Sequence, residues 1–187
     1  MKQKLLPTII SLFLIVGISM VWAAEKAPQK VVDLAHSKLA AWGTDPVIVE
    51  AVKAENAKGK TLENIKAIDA KWKAHAGIAD YMQAIMDSEC GKYMQKIQKS
   101  SPFYAEIFVM DNQGANVTMT DKTSDYWQGD EAKFQKSYNG GKGEIFVDNV
   151  KFDDSTQTYL VQVSVPVKDG GNVIGAITFG IDVDQVE

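Results

Sequence analysis

The apolar residues of this chain change their period once, at Pro102. Before it they recur at three- and four-residue spacing; after it they alternate. A chain patterned this way must bury helix stripes and sheet faces in one molecule, with the helices first and the strands second. Val31, Val32, Leu34, Ala35, Leu39 and Trp42 mark a first helical run, which Gly43 breaks. Thr44-Asp45-Pro46 opens a second helix, a capping residue standing before proline at the first helical position, and Val47, Ile48, Ala51 and Val52 are its stripe. Gly59 stops it. Thr61 caps a third helix, with Leu62, Ile65, Ile68 and Trp72 on one face. After Gly77, the residues Ile78, Met82, Ile85, Tyr93 and Ile97 predict a long helix broken near Gly91, closed by Ser100-Ser101-Pro102.

Beyond Pro102 the pattern is that of strands. Tyr104 to Met110 and Ala115 to Thr120 flank the turn Asp111-Asn112-Gln113-Gly114 and predict a hairpin. Glu144 to Phe152 reads as a third strand and Gln157 to Val167 as a fourth. After Lys168-Asp169-Gly170-Gly171, Asn172 to Val183 reads as a fifth. The fold class is therefore α+β: an antiparallel sheet of about five strands with the N-terminal helices packed on one face. In the fourth strand Tyr159, Val161, Val163 and Val165 share a face, expected to meet the helices, while Leu160, Gln162 and Ser164 share the other. The segment from Asp121 to Gly143 is too long for a simple connection. It is too aromatic for a disordered one, and one or two helical turns are expected around Glu131 to Ser137.

The N-terminus has a different character. Lys2 and Lys4 precede an uncharged run from Leu5 to Trp22, and Ala23-Ala24 follow. This is the order of a secretory signal peptide. The expected organisation is a signal peptide over residues 1–23 and one domain over residues 24–187, exported to the periplasm. An uncleaved anchor is the alternative, since a span needs about 20 residues. The remaining 164 residues suit one domain. Without Lys2 and Lys4, 18 basic residues face 24 acidic ones, a formal charge of −6. That balance argues against nucleic acid as a partner.

All 20 basic residues are lysine, so a bound anion would be held without a guanidinium fork. Cys90 stands alone; it reads as a helix-packing residue or else an intermolecular bridge. His36 and His75 lack second ligands at metal spacing, and no nucleophile-base signature or phosphate loop is visible. No enzyme activity and no cofactor are expected.

The strands Ala105-Glu106-Ile107-Phe108-Val109-Met110-Asp111 and Asn116-Val117-Thr118-Met119-Thr120, followed by Thr123-Ser124-Asp125-Tyr126-Trp127-Gln128-Gly129-Asp130, resemble Cache domains, the PAS-like extracytoplasmic sensors also called PDC domains. The closing stretch from Val173 to Asp182 is similar to the final strand of that family. The resemblance covers roughly residues 45–184. It implies a small-molecule pocket between the sheet and the long insertion, and use in signalling. Because the chain ends soon after its last strand, the expected signalling partner is a separate membrane-bound protein. The arginine with which some amino-acid-binding Cache domains hold a carboxylate is missing, so an amino-acid ligand is not carried over.

Small-ligand pockets join apolar walls to a few convergent polar groups. The expected ligand-binding residues are Tyr126, Trp127 and Phe134 as walls, Asp130 as an acceptor, and Gln162, Ser164 and Thr178 as polar groups on the covered sheet face. Two other readings of the same residues stand beside this one. In the first, the insertion is an aromatic anchor that docks a protein partner and holds no small ligand. In the second, a PAS-like fold carries an enzyme, which would require a cleft with close-set carboxylates.

Overall fold

A computed structural model describes residues 25–153 and 157–186. The expected signal peptide lies outside the described residues. Among these residues, six α-helices, two short 3-10 helices and a six-stranded antiparallel sheet form an α+β fold. The α-helices are α1 (Gln29–Ser37), α2 (Pro46–Ala57), α3 (Leu62–Ala74), α4 (Asp80–Met86), α5 (Glu89–Gln98) and α6 (Ala132–Tyr138). The strands are β1 (Tyr104–Met110), β2 (Asn116–Met119), β3 (Phe146–Val147), β4 (Lys151–Asp153), β5 (Thr158–Asp169) and β6 (Asn172–Asp182). The sheet order is β2-β1-β6-β5-β3, and β4 also pairs with β5.

The helix boundaries follow local chemistry. Asp45 accepts from the amides of Val47 (2.9 Å) and Ile48 (3.4 Å), capping α2 ahead of Pro46. Thr61 caps α3 through the Asn64 amide at 3.2 Å. The break in the fourth helical run falls before Gly91, at Asp87-Ser88, where the Ser88 hydroxyl caps α5 through the Gly91 amide. Gly91 is needed there because a Cβ would strike the Met86 carbonyl oxygen.

The valine face of β5 meets the helices as its alternation predicts. Val161, Val163, Val165 and Val167 pack with Ile107, Val109, Ile177 and Phe179 against Val31, Leu39, Ile48, Val52, Cys90 and Met94. Tyr159, at the start of the strand, stays exposed and stacks edge-on against Phe152. α3 and α4 reach further. Ile65, Trp72, Met82 and Met86 join Phe108, Met110 and Ala176 on the opposite face, together with Tyr126 and Phe134. The second face is thus roofed by α3, α4 and α6 and is the site of a second core.

The strand expected over residues 144–152 is two short ones, β3 and β4, which brings the strand count to six. The chain leaves the ladder between them: the Val150 amide donates to the Glu25 carbonyl (2.8 Å) and the Asn149 amide to the Asp148 side chain (2.8 Å). These two amides are satisfied away from β5, one by a neighbouring side chain and one by the N-terminal segment.

Candidate ligand-binding site

The sheet's second face is built in rows that follow from its register. Gln162, Gly180 and Glu106 lie side by side across β5, β6 and β1; Ser164, Thr178 and Phe108 form the next row, and Pro166, Ala176 and Met110 the third. Gly180 occupies the central strand of the first row. With no side chain between them, Gln162 reaches over it and its Nε2 donates to Glu106 Oε1 at 3.2 Å. A Cβ on Gly180 would stand 2.5 Å from Glu106 Cγ, so glycine is what allows this polar floor.

Above the floor lies a cavity of about 520 Å³, walled by Trp72 and Lys73 of α3, Lys133 of α6, the loop residues Lys122, Thr123, Ser124 and Gln128, and Phe152 and Asp153 of β4. Its size falls within the range of small-molecule sites. Glu106 is 8% exposed. Burial pushes its carboxyl above the usual carboxylate range, against the Gln162 amide and the Lys133 ammonium, while Asp153 and Asp121 push it further up. Gln128 is 1% exposed; its Nε2 donates to the Asp125 carbonyl at 2.7 Å, and its Oε1 has no hydrogen-bond donor among the described residues.

The lid is fastened by α3 through three side chains on one helical face. Buried Asp69 accepts from the amides of Tyr126 (2.9 Å) and Trp127 (3.1 Å). Trp72 Nε1 donates to the Thr123 carbonyl at 2.8 Å. Lys73 bridges Asp69 (2.8 Å) and Asp125 (2.7 Å). Burial disfavours the charged Asp125, but Lys73 and Ser124 outweigh it and hold that carboxyl below its ordinary range; the two aspartates raise Lys73 in turn. The spacing 69, 72, 73 places these groups together on any helix. It is the one sequence signal for the fastening, and it names no partner.

The expected residues separate into three groups. Gln162 lines the cavity. Tyr126, Trp127 and Phe134 build the lid. Tyr126 is 4% exposed, packs on Trp72 with ring centroids 5.5 Å apart, and its hydroxyl meets Lys60 Nζ at 2.6 Å. Trp127 Nε1 donates to the Gln113 carbonyl at 2.8 Å, and its ring faces Lys66. Phe134 is buried and stacks on Tyr138. Ser164 and Thr178 are buried and satisfy each other at 2.8 Å. Asp130 is exposed, and α6 is capped at Glu131 with no side-chain bond. Glu106, Gln128 and Lys133 are cavity residues that alternation did not single out, because each becomes a wall residue only once β1, β5 and the lid meet.

A cleft of similar size between α2 and α5 is lined by Pro46, Val47, Ala51, Val117 and Cys90, with Glu50 and Glu89 on its open side. Burial pushes the Cys90 thiol up to about 12, which leaves it unreactive near neutral pH.

No protein-family model matches the sequence, and no curated protein matches it. Among solved structures the chain is similar to the sensor domain of the Vibrio cholerae (V. cholerae) histidine kinase DctB, with a TM-score of 0.47 and 10% identity over 84% of this chain. It is similar to the sensory domain of the Campylobacter jejuni chemoreceptor Tlp3, with a TM-score of 0.44 and 15% identity over 84% of this chain. It is also similar to the ligand-binding domain of the Pseudomonas aeruginosa amino-acid chemoreceptor PctC in complex with GABA, with a TM-score of 0.38 and 9% identity over 85% of this chain. It spans 50%, 65% and 63% of those chains, respectively.

Proposed function

We propose that this chain is an exported, non-catalytic sensor domain that binds a small molecule between its sheet and the lid of residues 121–138, and passes the signal to a separate membrane-bound protein. The observation that carries this reading is the buried Glu106–Gln162 floor beneath a cavity of about 520 Å³. A cavity of this size with a few polar groups on its floor suits a small molecule. Within the expected set, Gln162 touches the ligand, Tyr126, Trp127 and Phe134 hold the lid, and the Ser164–Thr178 pair braces the floor.

The test is a thermal-shift screen of small metabolites on the purified protein and on Gly180→Ala, in which the new methyl drives the Glu106 side chain into the cavity. A ligand at a hundred times its dissociation constant adds about 2.7 kcal/mol to stability. The expected result is a compound that raises the melting temperature of the parent protein and has at least tenfold weaker affinity for the variant. An equal rise in both, with the variant still melting cooperatively, would place binding elsewhere.

A further inference from the structure

The cleft between α2 and α5 has the make-up of a protein-docking surface. Its volume is about 540 Å³. Val47 and Ala51 stand one turn apart on α2 and, with Val117 of β2 and the buried Cys90 of α5, give it an apolar floor. The Ser88 hydroxyl beside them is engaged: it donates to the Ile85 carbonyl at 2.8 Å and accepts from the Gly91 amide at 3.0 Å. Small soluble ligands are oriented by convergent polar groups, and this one is already used. An open apolar floor under a charged rim is instead the form of a groove that receives an amphipathic helix.

The rim is acidic. Glu50, Glu55 and Glu89 line the cleft, and among the described residues no lysine does. Glu55 is paired with Lys58 and Lys60. Glu50 shares Lys53 with Asp169, at 3.0 and 3.4 Å. Glu89 has no ion-pair partner among the described residues. The Cys90 thiol reads the resulting field: burial pushes it up first, and the charges of Asp45 and Glu89 push it further. That sign repels an anionic membrane surface and suits a partner that brings cations. The cleft is also tied to the lid. Val117 and Asn116 are neighbours on β2, with side chains on opposite faces. The Asn116 amide donates to the Tyr126 carbonyl at 3.0 Å, and its Nδ2 to Thr123 Oγ1 at 2.7 Å. One short strand thus carries part of the cleft floor and an anchor of the lid.

We infer that this cleft docks a lysine- or arginine-rich amphipathic helix of a partner protein, its apolar face on Val47, Ala51 and Val117 and its cations against Glu50 and Glu89. This rests on the chain passing its signal to a separate protein, and it gives that protein's docking segment a chemistry.

Two synthetic helical peptides of about 15 residues test this, alike in their leucine stripe, one with lysine at its polar positions and the other with glutamate. Fluorescence anisotropy follows binding, and backbone amide shifts of the isotope-labelled protein locate it. The lysine peptide should bind, shift the amides of Val47, Ala51, Glu89 and Val117, and lose at least tenfold in affinity for the double variant Glu50→Lys, Glu89→Lys. If the double variant does not melt cooperatively, Glu89→Lys alone decides, with a loss of at least threefold. Glu63→Lys makes the same change in the first turn of another helix, α3, and should leave the affinity as it was. An equal loss in Glu63→Lys would reduce the binding to net charge and overturn the inference. So would equal binding of the glutamate peptide, amide shifts elsewhere, no binding of the lysine peptide, or stronger binding to phosphatidylglycerol vesicles than to that peptide. The metabolite screen judges the cavity separately. A metabolite that binds where the lysine peptide does not removes the docking surface alone, and peptide binding with no metabolite removes the small ligand alone.

Discussion

At the scale of single residues, Glu106 sets a titratable carboxyl against burial. It shares its face of β1 with Phe108 and Met110, and its charged form is penalised by burial. In the unfolded chain it loses its proton near the ordinary glutamate value of about 4.3; in the folded protein it keeps the proton to higher pH. The folded state therefore gains from Glu106 below the ordinary value and loses that gain as pH rises through the raised one. Glu106→Gln keeps an acceptor for Gln162 and removes the titration. The variant should melt higher than the parent at pH 7 to 8, and the difference should shrink as pH falls through the raised range. Melting temperatures across pH 4 to 8 check this. A variant that melts lower throughout would mean that the ionised carboxylate stabilises the floor.

At the scale of elements, the lid over residues 121–131 is held from two sides: by α3, and by the β1–β2 hairpin, where the Asn116 amide donates to the Tyr126 carbonyl and the Gln128 amide to the Gly114 carbonyl. Asp69 is the centre of the hold from α3, since one buried carboxylate satisfies two lid amides and one ammonium. Asp69→Ala leaves the Tyr126 and Trp127 amides without their acceptor, at about 1–3 kcal/mol for each buried group left unsatisfied. The sheet does not depend on this contact: β5 and β6 are paired along most of their length, and the valine face is packed by α1, α2 and α5. Hydrogen exchange should therefore show faster exchange at the Tyr126 and Trp127 amides in Asp69→Ala, with β1, β5 and β6 still protected. Uniform loss of protection would mean that the lid and the sheet unfold as one unit.

At the scale of the whole molecule, a sheet with two covered faces carries one packed face and one that opens into a cavity. The first face is closed by valines and isoleucines against α1, α2 and α5. The second is closed only in part by Phe108, Met110 and Ala176, and its polar row opens into the cavity. Among the described residues no helix is long and apolar enough to cross a membrane. The export proposal predicts a periplasmic product beginning near Ala24, and N-terminal sequencing of the protein from its native compartment checks it. Intact Met1 in the membrane fraction would establish the anchor instead.

What the linear order of residues determined is local and periodic. The change of period at Pro102, the caps at Asp45 and Thr61 and the alternation of Val161, Val163 and Val165 each depend on neighbours within a few positions, so they are legible before any fold is known. The length and aromatic content of residues 121–143 likewise pointed to a lid. Tertiary structure decided which polar groups face one another. Glu106, Gln128 and Gln162 come from β1, the lid and β5, and meet only through strand register and through the missing side chain at Gly180. Ser164 and Thr178, expected in the pocket as unsatisfied polar groups, are cross-strand partners and satisfy each other. Asp69 shows no sign of its role in sequence because its two acceptor bonds reach across 57 and 58 residues. Hydrogen-bond partnership at such separations is a property of packing, and packing is what a one-dimensional pattern does not contain.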